Sequence, residues 1–189
     1  MSQQTKKAIF LDRDGVINKE KNHLHKIREF EFEKNALAGL KAINFDQFLV
    51  FLICNQAGVA KGIHTLADFQ KLDRWLKNKL VKKNIRIKET YFCPHHPEAK
   101  IKKYRKKCHC RKPGPGMLLK AKKEFNLDLN HSFLIGDKTS DILAGKNAGC
   151  MTILVQTGYA GKDGLFKVNP DYTAEDLLSA IKLINSKKF

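Results

Sequence analysis

The sequence predicts an α/β fold, a Rossmann-like parallel sheet with helices on both faces. Two observations predict it. Short apolar runs without alternation, such as those at 8–11 and 48–53, read as strands covered on both faces. Between such runs lie segments whose apolar residues recur at helical spacing, so strands and helices alternate along the chain. A third observation points towards a site. Polar clusters fall where the strands end, at Asp12, Asn55, Cys93 and Asp137, and open parallel sheets bind their ligands beyond the carboxyl ends of their strands.

Each element has its own signal. Ala8-Ile9-Phe10-Leu11 is a buried strand running into Asp12. Residues 35–45 have helical spacing through Leu37, Leu40 and Ile43. The run from Phe48 to Ile53 is the second strand. Thr65-Leu66-Ala67-Asp68 opens a helix with a side-chain cap and an early acid, and Leu66, Phe69, Leu72, Leu76 and Leu80 mark its buried face. Residues 85–92 alternate like a strand. From Cys93 to Lys112 the chain is polar, basic and poor in apolar residues. Pro113-Gly114-Pro115-Gly116 is a turn, with Pro115 placed for the first turn of a helix through Phe125. Ser132 to Ile135 is a strand ending at Gly136-Asp137, and Ile142 to Ala148 is a short helix stopped by Gly149. Met151 to Val155 is another strand. Thr173-Ala174-Glu175-Asp176 caps a last helix that ends near Lys187. With no repeat and no linker, residues 1–189 read as one domain.

Composition narrows the class. A hydrophobic fraction of 42% supplies a core, and no apolar run reaches the ~20 residues that cross a bilayer. The first seven residues lack the apolar core and cleavage site of a secretory signal, so a cytoplasmic location is expected. Five cysteines, an odd number, argue against a disulfide framework and suggest a metal where they cluster. The net charge of +17 is concentrated between Lys71 and Lys123, where 19 Lys or Arg face three acids. Such a block attracts nucleic acid, an acidic surface or a multiply phosphorylated substrate. Most of these lysines lie on the polar side of an apolar stripe and read as solvated faces.

The chemistry-bearing residues sit at the strand ends. In Asp12-Arg13-Asp14-Gly15 two acids, two residues apart, follow a buried strand. Alone this spacing also suits a turn. A second strand runs into Gly136-Asp137-Lys138-Thr139-Ser140-Asp141, and Asp12 and Asp137 can share one hard cation with oxygen ligands, such as magnesium. Asp141 reads equally as a partner of the groups around the cation and as an acid favoured by a helix start. Further on, Cys93-Pro94-His95-His96 and Cys108-His109-Cys110 supply three thiols and an imidazole, the mixed set that zinc favours in closed structural sites. His95, His96 and His109 are alternatives for the imidazole. Four protein ligands leave no open position for water, so the expected zinc role is to order the loop at 93–112.

These motifs, in this order and across nearly the whole chain, resemble the haloacid dehalogenase (HAD) superfamily of phosphotransferases. The resemblance implies that Asp12 is the nucleophile and Asp14 the general acid and base. It implies magnesium held by Asp12, Asp137 and the backbone carbonyl of Asp14. It assigns Lys112 to the transferring phosphoryl group and Arg111 to substrate, where a planar fork suits a second phosphate. The family places a hydroxyl at the end of the second strand. This chain has Cys54-Asn55-Gln56 where close relatives have Thr-Asn-Gln, and a thiol donates weakly, so phosphate contact shifts to Asn55, Gln56, Ala57 and nearby amides.

Within the superfamily, Cys-Pro-His-His-Pro and Cys-x-Cys-Arg-Lys-Pro resemble the heptose 1,7-bisphosphate 7-phosphatases of ADP- or GDP-heptose biosynthesis. Their Cys-x-His pattern selects His95 as ligand. Histidinol-phosphate phosphatases carry a similar loop with a shorter gap, and the twelve residues between His95 and Cys108 favour the heptose enzymes. The resemblance also places Glu20, Lys21, Asn22, His23 and Lys138 against the sugar phosphate. The expected partner is a small phosphorylated sugar, and the expected state is a monomer with a minimal cap and no membrane contact. Histidinol phosphate is the alternative substrate. A non-catalytic, zinc-stabilised nucleic-acid binder is the reading from another class; the acidic pairs and Arg111-Lys112 weigh against it, and the scarcity of aromatic residues in the basic block weighs against a nucleic-acid end phosphatase.

Overall fold

A computed structural model describes residues 5–186. The strands are β1 (Lys7–Leu11), β2 (Phe48–Asn55), β3 (Glu89–Cys93), β4 (Phe133–Gly136), β5 (Met151–Val155) and β6 (Tyr172–Ala174). They form one parallel six-stranded sheet in the order β3-β2-β1-β4-β5-β6. The helices are α1 (Ala36–Lys41), α2 (Ala57–Lys61), α3 (Leu66–Val81), α4 (Gly116–Phe125), α5 (Thr139–Ala148) and α6 (Leu177–Ser186).

The continuous apolar runs have the cause expected of them: both faces of the sheet are covered. Ile9, Leu11, Val50, Leu52, Phe133 and Ile135 point into a core shared with Leu40 of α1, Phe69 and Leu76 of α3, and Ile181 of α6. The alternate residues Ala8, Phe10, Phe51, Ile53 and Leu134 pack under Met117, Leu118 and Ala121 of α4 and Ala144 of α5. Burying a side chain such as Leu76 or Phe10 stabilises the fold by about 1.5–3 kcal/mol. Among the described residues, no helix is long and apolar enough to cross a membrane.

The strand order turns at β1. Its neighbours β2 and β4 lead in opposite directions, so the loops after β1 and β4 part and leave a crevice. Leu11 pairs with Ile135, which brings the next residues on each strand, Asp12 and Gly136–Asp137, to the mouth of that crevice.

Several boundaries differ from the sequence expectation. The third strand is Glu89–Cys93 and not 85–92, because pairing with β2 begins only at Phe51 and Glu89; Ile85 is a core residue of the preceding turn. The first helix ends at Lys41, where Ala42 closes it. The fifth begins at Thr139, three residues early, because the Asp141 carboxylate accepts the Lys138 N–H at 3.0 Å and caps the first turn. Thr173 and Ala174 belong to the edge strand β6, and Asp176 caps the last helix through the Ser179 N–H at 2.9 Å. The expected helix end at Lys187 lies outside the described residues. The short helix α2 had no periodicity to reveal it. The capping box of Thr65 and Asp68 forms as expected.

Candidate active site and thiol cluster

Three carboxylates meet at the crevice. Ligand oxygens of Asp12, Asp137 and Asp141 lie within 4.8 Å of one another, and all three residues are buried. The Lys112 ammonium enters from the cysteine loop, 2.9 Å from Asp12 Oδ1 and 2.6 Å from Asp141 Oδ1, and donates to the Ile53 carbonyl at 2.9 Å. Three carboxylates thus face the buried Lys112 ammonium, with the charge of Lys138 acting on Asp12 and Asp137 from farther off. Burial, followed for Asp137 by the charges of Asp12 and Asp141, pushes Asp137 up to about 8. Burial pushes Asp12 up to about 6, against the pull of Lys112. Asp137 Oδ1 is buried with no hydrogen-bond partner. A buried, hard, excess-negative oxygen cluster with an orphaned carboxylate oxygen fits a divalent cation.

The backbone is shaped around Asp137. Gly15 (φ +90°) and Gly158 (φ +58°) both adopt left-handed conformations, and a Cβ on either would lie 2.2 Å from Asp137 Oδ2. The Tyr159 N–H donates to the same oxygen at 2.8 Å, and the Thr157 hydroxyl donates to the Gly15 carbonyl at 2.6 Å. The loop after β5 is therefore fastened to both acidic strand ends. Sequence reasoning missed this loop, although Gly158, Gly161 and Gly164 marked it.

Asp14 does not join the carboxylate cluster with its side chain. Its carboxylate takes the Arg13 guanidinium at 2.8 Å and the Asn18 amide at 2.8 Å. Those partners outweigh burial and hold Asp14 below the usual carboxylate range. Arg13 is another residue that the sequence reading passed over. It is fully buried, donates to the Leu24 carbonyl at 3.3 Å and lies 5.5 Å over the Phe69 ring.

A cleft of about 770 Å³ opens above this floor. Asp14, Glu20, Asn22, His23, Asn55, Gln56, Ala57, Arg111, Lys112 and Lys138 line it. Glu20 pairs with Lys138 at 2.7 Å, and Asn22 and His23 turn through left-handed conformations beside it. His25 stacks on His64, 5.1 Å between ring centres, and seats the loop on the chain that follows α2.

Three of the expected site residues have partners or surroundings of their own. Lys21 is not among the residues that line the cleft; with Lys19 it pairs with Glu31. Asn55 spends its amide on the chain itself, accepting the Lys112 N–H and donating to the Lys112 carbonyl, both at 3.0 Å. Loop backbone taken from water needs such partners, and this pair ties β2 to the cysteine loop. Cys54 is 1% exposed and packs into the core beneath the cleft. Burial pushes its thiol far above the ordinary range, so it stands as a neutral S–H.

On the far side of Lys112 the thiols gather. Cys93, His95, Cys108 and Cys110 present ligand atoms within 4.8 Å of one another. The sulfurs are 3.2–3.3 Å apart, well beyond a disulfide bond, and His95 Nδ1 lies 3.6 Å from Cys93 Sγ and from Cys110 Sγ. His96 instead accepts the Glu98 N–H at 3.1 Å and lines the cleft. Three thiols and one imidazole at these separations can hold one soft or borderline metal ion. The Arg111 guanidinium donates to the His95 carbonyl at 3.2 Å, so the cluster and the cleft share a wall.

A family described as HAD-hydrolase-like matches residues 109–180. The chain is 45% identical to D-glycero-alpha-D-manno-heptose-1,7-bisphosphate 7-phosphatase of Photorhabdus laumondii, over 81% of this chain and 84% of that protein. The chain belongs to the heptose-bisphosphate phosphatase family of HAD-like hydrolases. A beta-anomer enzyme of the family, from Pasteurella multocida, is 41% identical over 97% of this chain and 99% of its own length. The heptose 1,7-bisphosphate phosphatase from B. bronchiseptica, solved with magnesium and phosphate, superposes with a TM-score of 0.83 at 28% identity, covering 96% of this chain and 99% of that one.

Proposed function

We propose that this chain is a magnesium-dependent phosphatase that removes the 7-phosphate of D-glycero-D-manno-heptose 1,7-bisphosphate through a phospho-Asp12 intermediate. The observation that carries the reading is the meeting of Asp12, Asp137 and Asp141 with Lys112 at the turning point of the sheet. Family membership supports the substrate over histidinol phosphate.

The roles follow from position. An Asp12 carboxylate oxygen forms the bond to phosphorus as the bond from phosphorus to the sugar oxygen breaks. Lys112, fixed by the Ile53 carbonyl and by Asn55, offsets charge on the transferring group. Asp14 gives the leaving oxygen its proton, then takes one from the water that attacks the phosphoaspartate, and Asp12 leaves as a carboxylate. In the state described Arg13 holds Asp14 ionised, the form the second step needs. For the first step the incoming phosphate must raise its proton affinity. Asp12, Asp137 and the Asp14 carbonyl are the proposed magnesium ligands, with Asp141 holding Lys112. The cation supplies relief of the repulsion between an anionic carboxylate and an anionic phosphate.

Zinc is the proposed ion of the Cys93, His95, Cys108 and Cys110 cluster, with a structural role. Phosphate release from the heptose bisphosphate and from histidinol phosphate, measured side by side with magnesium, tests the substrate. A clear preference for histidinol phosphate would overturn it.

A further inference from the structure

Five cations line the cleft, and they fall into two groups. Lys112 and Lys138 are paired, the first with Asp12 and Asp141, the second with Glu20. Lys61, Lys107 and Arg111 have no acidic partner among the described residues. Lys61 closes α2, with its ammonium 3.5 Å from His23 Nε2, an uncharged neighbour in the imidazole form. Lys107 precedes the first cysteine of the Cys108–Cys110 pair, and both lysine side chains are exposed. The two stretches of chain are joined: the Ile101 N–H donates to the Ala60 carbonyl at 3.0 Å, so the cysteine loop rests on the end of α2.

Unpaired cations held in a cleft already carrying a phosphate-transfer floor are placed for a second anion. The paired ones already face carboxylates, Lys112 those of the floor and Lys138 that of Glu20. We propose that Lys61 and Lys107 form, with Arg111, an outer subsite for the second phosphate of a bisphosphate substrate, and that these two lysines set the preference for bisphosphates over monophosphates. This rests on the phosphatase reading above. Charge-assisted bonds to a phosphate dianion are the strong ones, and removing one such donor weakens binding by about tenfold. Both lysines are solvent-facing, so the contribution shrinks as salt rises.

The test is steady-state kinetics on the magnesium- and zinc-loaded enzyme and its Lys61→Ala, Lys107→Ala and doubly substituted variants. Two substrates are used, heptose 1,7-bisphosphate and p-nitrophenyl phosphate, with Lys82→Ala on the far end of α3 as control. The expected result is a KM for the bisphosphate raised about tenfold in each single variant and further in the double one. Its kcat stays near normal, and both constants for p-nitrophenyl phosphate are unchanged. Lys61→Arg keeps most of the bisphosphate affinity. An unchanged bisphosphate KM in the double variant, or an equal rise for both substrates, would overturn the subsite. Calorimetric binding of the bisphosphate to Asp12→Asn, with and without the two lysine substitutions, reads the subsite without turnover. Equal affinity in the two would also overturn it, whereas a bisphosphate bound but not hydrolysed by the native enzyme would count against the phosphatase reading alone.

Discussion

The carboxylate cluster and the thiol cluster lie on either side of Lys112, yet they are built in different ways. Asp12 and Asp137 follow adjacent strands whose pairing fixes them, and Asp141 caps the helix that comes next. Two glycines and a loop close around Asp137. The apolar core holds that geometry. Cys93 ends β3, but Cys108 and Cys110 lie on a loop whose one helical turn among the described residues is at Lys102–Tyr104, flanked by exposed lysines. Beyond the ends of β3 and α4 it rests on the end of α2 through Ile101 and Ala60, and Ala99 is its one deeply buried apolar residue among the described residues 94–110. The difference teaches which part would depend on an ion for its shape: under the proposed function the first cluster uses one for chemistry and the second for order.

The largest effect should come from the floor. Asp12→Asn and Asp137→Asn are each expected to lower kcat by at least about 10³-fold. The fold should survive, and Asp137→Asn should melt no lower than the native chain when metal is absent, because it removes a charge that burial and its neighbours already oppose. Circular dichroism melts beside phosphate-release assays check both halves; a large drop in melting temperature would break the contrast between the regions.

Next comes the thiol side. Cys108→Ser, or removal of the loop's metal by a chelator, should loosen residues 93–112 and displace Arg111 and Lys112, at a cost of about 10- to 100-fold in kcat/KM. Hydrogen exchange should rise there and stay low in β1 and β4. Uniform exchange across the sheet would show that the loop is not a separate unit.

Asn55 joins the two regions, so Asn55→Ala sharpens the comparison. Two hydrogen bonds to the Lys112 peptide are lost, and a destabilisation of about 1–3 kcal/mol is expected, with about a tenfold fall in kcat. Denaturant titration and initial rates read the two effects. No change in kcat would mean that Lys112 is held without this tie.

The smallest effect is one of pH. In the metal-free fold Asp12 and Asp137 titrate together well above the ordinary carboxylate value near 3.9. The folded state thus holds protons that the unfolded chain has released. Their contribution is complete below about pH 4 and is lost as pH rises towards about 8, so metal-free stability falls across that window. Magnesium competes with those protons, and the rise in melting temperature that it causes should grow from pH 5 to pH 8. A rise of equal size at both pH values would contradict the cluster as its site.

Much of this was legible in the sequence. The strands announced themselves because burial on both faces leaves no room for polar residues, and the acids after β1 and β4 stood out against those runs. The cysteine spacing was equally plain. What stayed hidden depends on contacts across the chain. The ties from Asn55 to Lys112, from Arg13 to Leu24 and from Tyr159 to Asp137 join residues whose pairing no local period encodes. The pairing of Lys21 with Glu31 was hidden too, because the acid lies ten residues on in a loop without periodicity. Cys54 kept the family's position but not its hydroxyl, and only the fold shows its thiol beneath the cleft.

The phosphoryl group on Asp12 is the most direct thing to measure. Magnesium-loaded enzyme mixed with heptose 1,7-bisphosphate, quenched in acid within a turnover and mapped by peptide mass spectrometry, should carry one phosphoryl group on the peptide containing Asp12. Asp12→Asn should carry none. A phosphoryl group on any other residue, or steady turnover with Asp12 unmodified at every quench time, would contradict the account.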